Sequence, residues 1–263
     1  MLLSNRVALL TGGAGRLGRV IAATLQREGA SVAIVDKDGQ AAKAVAGELG
    51  GKGKPAVTAI CGDVSDAGEV SRMVGEAAAN LGQIDILVNC AAIVPSRLVV
   101  DVEVEEWDRV FAINVRGTML MCQAMARDWI ANGVKGAIVN LSSGAGQSAR
   151  AGGAHYSGSK AALNMLTEVL AIELGPHAIR VNALAPGLIL DDVVTEESDA
   201  HHPYINLMLR GTPLGRTGAP EDIAEAVAFL ASERSSWTTG SIISITGGSH
   251  CGRTHMPPTE DLF

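Results

Sequence analysis

The stretch Arg6-Val7-Ala8-Leu9-Leu10-Thr11-Gly12-Gly13-Ala14-Gly15-Arg16-Leu17-Gly18 decides how the rest of this chain is read. Its first part, Arg6 to Leu10, is a short apolar run of the kind that forms a buried strand. Glycines then permit a tight turn, and Val20-Ile21 to Leu25 places apolar residues at helical spacing. Gly13, Gly15 and Gly18 have the spacing G-x-G-x-x-G, which lets the backbone approach a pyrophosphate at a helix N-terminus. In a chain with 31 glycines the same spacing also describes an ordinary turn, so the context has to decide.

The next strand candidate, Ser31 to Val35, runs into Asp36, 18 residues after Gly18. An acid at that place accepts hydrogen bonds from the adenosine ribose hydroxyls and repels a 2′-phosphate, which favours NAD. Arg16 in the glycine turn and Lys37 after Asp36 argue the other way and leave NADP as the alternative.

Further strand candidates are Ala56 to Cys61, Ile84 to Asn89, Ala137 to Leu141, Arg180 to Leu184 and Ser241 to Ile245, with helical patterns such as Ile223 to Leu230 between them. Strand, helix, strand with short connections implies right-handed crossovers. The expected fold is therefore a single-domain α/β protein over 1–263, a doubly wound parallel sheet of about seven strands with helices on both faces. Ligands in such a sheet bind beyond the carboxyl ends of the strands. A polar stretch from Leu188 to Tyr204 breaks the rhythm and suggests a substrate lid over 188–210. A tail, 249–263, carries Pro257-Pro258.

Composition excludes several classes. Apolar residues make up 47% and charged residues 19%, with a formal net charge of -7, so a basic nucleic-acid face is not expected. The clearest charge run is acidic, Asp191, Asp192, Glu196, Glu197 and Asp199, and reads as a solvated loop. Cys61, Cys90, Cys122 and Cys251 lack CxxC spacing, and all but Cys251 sit in apolar segments, as small buried hydrophobes do. His201-His202 is not a metal spacing, and no metal is expected. No apolar run approaches the ~18 residues of a membrane span, and the start, broken at Ser4-Asn5-Arg6, is not a signal peptide; a soluble cytoplasmic protein is expected.

The chemistry-bearing residues follow strand five. Asn140-Leu141-Ser142-Ser143 is succeeded thirteen residues later by Tyr156-Ser157-Gly158-Ser159-Lys160. Tyr156 and Lys160 are four apart and share one helix face, so an ammonium stands near a phenol and favours its ionised form. Such a pair alone is a common surface feature. With Ser143, and with Asn114 in Ala112-Ile113-Asn114-Val115, it resembles the Asn-Ser-Tyr-Lys tetrad of the short-chain dehydrogenase/reductase family. The resemblance runs from Thr11 to about Gly248 and includes Gly62-Asp63-Val64, Asn89, Ala185-Pro186-Gly187 and Thr246-Gly247-Gly248.

That resemblance implies a dinucleotide held by Gly12, Gly15, Arg16, Leu17 and Gly18, with Asp36 and Lys37 at the ribose, Asp63 and Val64 at the adenine, and Asn89 to Ala92, Ala91 among them, along its length. Pro186, Gly187 and Ile189 would border the nicotinamide, and Tyr156 and Lys160 would reach its ribose. By the same resemblance Ser143 holds a substrate hydroxyl, Tyr156 transfers the proton, Lys160 lowers the Tyr156 pKa, and Asn114 positions a water linking Lys160 to solvent. Three departures stand out: Arg16 replaces the usual second glycine, as in some NADPH-preferring pteridine reductases; Cys90-Ala91-Ala92 replaces Asn-Ala-Gly; and Asp191 replaces a threonine.

The implied activity is an NAD(H)-dependent interconversion of a secondary alcohol and a ketone, with an NADPH-dependent carbonyl reductase as the alternative. A non-catalytic dinucleotide-binding protein is a further alternative, although it would tolerate loss of Tyr156 or Lys160, and both are present. Arg97, Arg150 and His155 are candidates for contacting an anionic group on the substrate. The segment Ala161 to Leu174 is apolar around most of its circumference, which suggests a subunit interface and, by the resemblance, a homotetramer.

Overall fold

The computed structural model describes residues 1–195 and 202–252. Glu196, Glu197, Asp199, His201 and the Pro257-Pro258 part of the tail lie outside the described residues. Seven strands form one parallel sheet: β1 (Val7–Thr11), β2 (Ser31–Asp36), β3 (Val57–Cys61), β4 (Ile86–Asn89), β5 (Ala137–Leu141), β6 (Arg180–Pro186) and β7 (Ile242–Ile245). Their order is β3-β2-β1-β4-β5-β6-β7. The direction of winding reverses between β1 and β4, which opens a crevice at their carboxyl ends. The expected strands all form, with ends displaced by one or two residues: β1 extends through Thr11 and β6 through Pro186, both to the rim of the crevice.

Among the described residues, eight α-helices cover the sheet: α1 (Arg16–Arg27), α2 (Gly39–Leu49), α3 (Ala67–Leu81), α4 (Val104–Phe111), α5 (Thr118–Asn132), α6 (Ala154–Leu174), α7 (Pro203–Arg210) and α8 (Pro220–Ala231). The two-residue period of the strands divides the core. Leu10, Ile34, Val88 and Val139 point to one face and pack with Ile21 and Leu25 of α1 and Ile223 and Val227 of α8. Their neighbours Leu9, Val35, Leu87 and Ile138 point to the other, against Met73 of α3 and Met121, Met125 and Trp129 of α5. Because both faces are covered, the central strands are apolar throughout rather than alternating.

Two details bear on the site. Between α4 and α5 the backbone widens into a π-helical turn, Ala112–Gly117, which places Asn114 wholly inside the protein. The stretch after β6 bridges back to the body of the protein, Ile189 to Gly218 and Thr195 to Arg216, before α7. One expectation fails here: Cys61, at the edge strand β3, is exposed, since edge strands have a free flank that central strands lack. Cys122 on α5 is buried as expected. No helix among the described residues is long and apolar enough to cross a membrane.

Candidate active site

The strand ends converge on a cleft of about 930 Å³, the size of a small-molecule site. One end is walled by the glycine turn together with Asp36, Lys37, Asp63 and Val64; the other by Ser143, Tyr156, Lys160, Pro186, Gly187 and Ile189. Ala91 and Ile93 line the middle.

The glycine turn is built by close approach. Gly12 has φ +67°, and a side chain there would place its Cβ 2.7 Å from the Cα of Ala91. A Cβ on Gly18 would strike the backbone of Gly12 and Gly13, so the first turn of α1 sits directly on the loop. Gly15, at φ -68°, needs no such freedom but exposes its backbone to the cleft. Thr11, at the start of the glycine turn, ties the two central strand ends together: its Oγ1 accepts from the N–H groups of Cys90 and Ala91, both at 3.2 Å.

At the end of β2, Asp36 is oriented by the backbone. Its Oδ2 accepts from the Ala14 N–H at 3.1 Å and its Oδ1 from the Asp38 N–H at 3.1 Å. Each oxygen keeps lone-pair capacity for hydroxyl donors from a ligand. Asp63 is turned onto Ser65, whose N–H and hydroxyl donate to Oδ1 at 2.8 and 2.7 Å, and the backbone bond first among these holds its carboxyl below the usual range. Arg16 reaches across the cleft: Nη2 donates to the Ile189 carbonyl at 3.0 Å, and Nη1 pairs with Asp191 Oδ1 at 3.2 Å.

At the other end, α6 brings Tyr156 and Lys160 onto one face, and both line the cleft. Lys160 is buried, which pulls its pKa down to about 8, and its Nζ donates to the Leu141 carbonyl at 2.7 Å. Burial pushes the Tyr156 phenol up from its ordinary value, opposed by the Ser143 hydroxyl and by the charge of Arg150. Desolvation is the largest influence on Tyr156, and the opposing ones come from Ser143 and Arg150. Ser143 Oγ accepts from the Ala145 N–H at 3.1 Å, leaving its own proton to be donated.

Asn114 does not line the cleft. Its Oδ1 accepts from the Ile93 N–H at 2.9 Å, and its Nδ2 donates to the Ile93 carbonyl at 3.0 Å and to Ser159 Oγ at 3.1 Å. Both amide donors are engaged, and the side chain pins the segment after β4 to α6. Asn89 departs from its expected place along the cofactor. It ends β4 opposite Asn140, points into the core, and donates to Asn140 Oδ1 at 2.9 Å; Asn140 in turn donates to Thr167 at 3.0 Å. The side chain is buried away from the cleft, on the sheet face that Leu87 shares.

The three candidate anion contacts separate in the same way. Arg97 and the buried His155 both engage Glu106, at 2.7 and 3.2 Å. His155 Nδ1 accepts the Tyr156 N–H at 3.0 Å, which leaves Nε2 as the donor to Glu106. Arg150 lines the cleft and donates to the Tyr204 hydroxyl on α7 at 2.9 Å. Among the described residues no group of three metal-ligating side chains forms.

Comparison with known proteins agrees with this geometry. Residues 13–250 match the family model described as Enoyl-(Acyl carrier protein) reductase. The chain is 36% identical over 253 residues to a (3R)-3-hydroxyacyl-CoA dehydrogenase of Canis lupus familiaris, covering 94% of this chain and 96% of that one. It is 39% identical over 258 residues to a sorbitol dehydrogenase of Cereibacter sphaeroides, covering 95% and 99%. A crystal structure of a short-chain type dehydrogenase/reductase from Mycobacterium marinum superposes with a TM-score of 0.86 at 36% identity, covering 95% of this chain and 97% of that one. With a doubly wound sheet, a glycine turn at β1 and a Ser-Tyr-Lys cluster at the strand ends, the chain belongs to the short-chain dehydrogenase/reductase family of oxidoreductases.

Proposed function

We propose that this chain is an NAD(H)-dependent enzyme that interconverts a secondary alcohol and a ketone. The observation that carries the reading is one continuous cleft with Asp36 at one end and Ser143, Tyr156 and Lys160 at the other. A dinucleotide fits it. The Gly12 and Gly18 cradle admits no side chain, and Asp36 has acceptor capacity for ribose hydroxyls and a charge that repels a 2′-phosphate. Gly12, Gly15, Leu17 and Gly18 would line the pyrophosphate, Val64 and Asp63 the adenine, and Pro186, Gly187 and Ile189 the nicotinamide.

When bound, the nicotinamide supplies the hydride chemistry. The protein's own part is orientation and proton transfer. Ser143 donates to the substrate oxygen, and Tyr156 takes the hydroxyl proton in oxidation or returns it in reduction. Lys160, held by Leu141, would orient the nicotinamide ribose, and Asn114 fixes the Ile93 segment against α6. The sorbitol and hydroxyacyl relatives support secondary alcohols as the substrate class.

The same reading treats 1–263 as one catalytic domain, with 188–210 as the substrate lid. The outer face of α6, which leaves Met165 and Ile172 exposed at 60% and 77%, supports a homotetramer. A cytoplasmic setting suits a chain whose four cysteines are all free.

Titration with NADH and with NADPH, followed by cofactor fluorescence, tests the reading. Tighter binding of NADH is expected. A preference for NADPH would show that Lys37, beside Asp36 on the cleft wall, outweighs the carboxylate and would make a carbonyl reductase the function; binding of neither would overturn the redox reading.

A further inference from the structure

Arg16 and Asp191 are two of the places where this chain departs from the family pattern, and in the folded protein they meet. They are 175 residues apart in sequence. Arg16 opens α1 just after β1, whereas Asp191 and Ile189 follow β6. In the sheet β4 and β5 lie between β1 and β6, so the contact spans three strand spacings, roughly 14 Å at ~4.8 Å each. The guanidinium is held twice, by the Asp191 carboxylate at 3.2 Å and by the Ile189 carbonyl at 3.0 Å. A glycine at position 16 could not reach, and a threonine at 191 would offer no charge.

The placement matters because Arg16 and Ile189 both line the cleft that runs from Asp36 to Tyr156. A ligand extended between those ends along the strand tips has to pass the line joining β1 to β6. We propose that Arg16 and Asp191 form a clasp across the cofactor cleft, in which Arg16 lies against the cofactor pyrophosphate and Asp191 positions it, so that the pair slows cofactor release. The charge logic is consistent: a diphosphate carries two negative charges, and a guanidinium has five N–H donors, of which the clasp uses two. The pair is also distinct from 2′-phosphate recognition, because Arg16 is drawn toward the β6 side and away from Asp36 at the end of β2.

The inference rests on the proposed dinucleotide function, and the test separates the two. NADH binding by the unaltered protein is measured first; its absence would fail the functional reading. Stopped-flow displacement of bound NADH or NADPH by excess ADP-ribose then gives dissociation rates for the unaltered protein, Arg16→Gln, Asp191→Asn, the double variant and Asp191→Glu. The clasp predicts about a 2- to 5-fold faster release for each single neutralising variant, the range an exposed ion pair supplies. It also predicts no further gain in the double variant, the same factor for NADH and NADPH, and retention of slow release by Asp191→Glu. Asp191→Asn indistinguishable from the unaltered protein would overturn it, as would effects that simply multiply in the double variant or appear with NADPH alone.

Discussion

The Nζ of Lys160 stands 5.8 Å from the ring centroid of Tyr156 while donating its hydrogen bond to the Leu141 carbonyl. Burial holds this lysine at a pKa of about 8, against an ordinary 10.5. Between those values the unfolded chain carries a proton that the folded chain does not, so this residue makes stability rise as pH goes from about 8 to 10.5. Lys160→Met removes the effect. The stability of the unaltered protein relative to Lys160→Met, measured by urea unfolding, should be constant below pH 8 and improve across the window. A difference that does not change with pH would show that Lys160 is not held at a lowered pKa.

Tyr156→Phe should keep the fold and cofactor binding, since the phenol oxygen is not part of the core packing, but lose turnover by about 10²- to 10⁴-fold, the usual share of a positioned acid–base group. Steady-state turnover alongside NADH titration checks both halves. Normal turnover would remove Tyr156 from the proton-transfer step.

These residues differ in how far the sequence revealed them. The strands and the glycine turn were legible because a buried strand is continuously apolar, while a turn that admits no Cβ needs glycine at fixed spacing. Tyr156 and Lys160 were legible because four residues is one helical turn. Asn89 was misread because no local pattern shows that its amide pairs with Asn140 on the neighbouring strand β5 and turns away from the cleft. The clasp of Arg16 with Asp191, the hold of Leu141 on Lys160 and the use of Asn114 on Ile93 join segments that no local period connects. Only the folded sheet order brings them together. The position of Glu106 between Arg97 and His155 was equally hidden, and it removes two of three candidate anion contacts from the substrate.

Asp36→Asn tests cofactor choice at its source. The amide keeps the size of the side chain and an oxygen to accept the Ala14 N–H, but loses the charge and half the acceptor capacity. NADH affinity should fall, NADPH affinity should rise, and the ratio of their dissociation constants should move by roughly tenfold, consistent with ~1.4 kcal/mol for one unscreened charge contact. An unchanged ratio would mean that Lys37 or the fold around it sets the preference.

Glycine substitutions should separate the cradle from ordinary backbone by sign. Gly12 holds φ +67° and lies against Ala91, so Gly12→Ala strains the backbone and pushes β4 from the turn at once. A loss of about 1–3 kcal/mol in stability is expected, together with weakened cofactor binding. Gly47 lies within α2, where an added Cβ would meet no atom within 4 Å. Alanine there should stabilise by about 0.5–1 kcal/mol, because it restricts the unfolded chain and favours the helix. Denaturant unfolding of the two variants beside the unaltered protein gives both signs in one experiment. If Gly12→Ala were as stable as Gly47→Ala, the tight contact between the β1 turn and the end of β4 would not be what shapes the cleft.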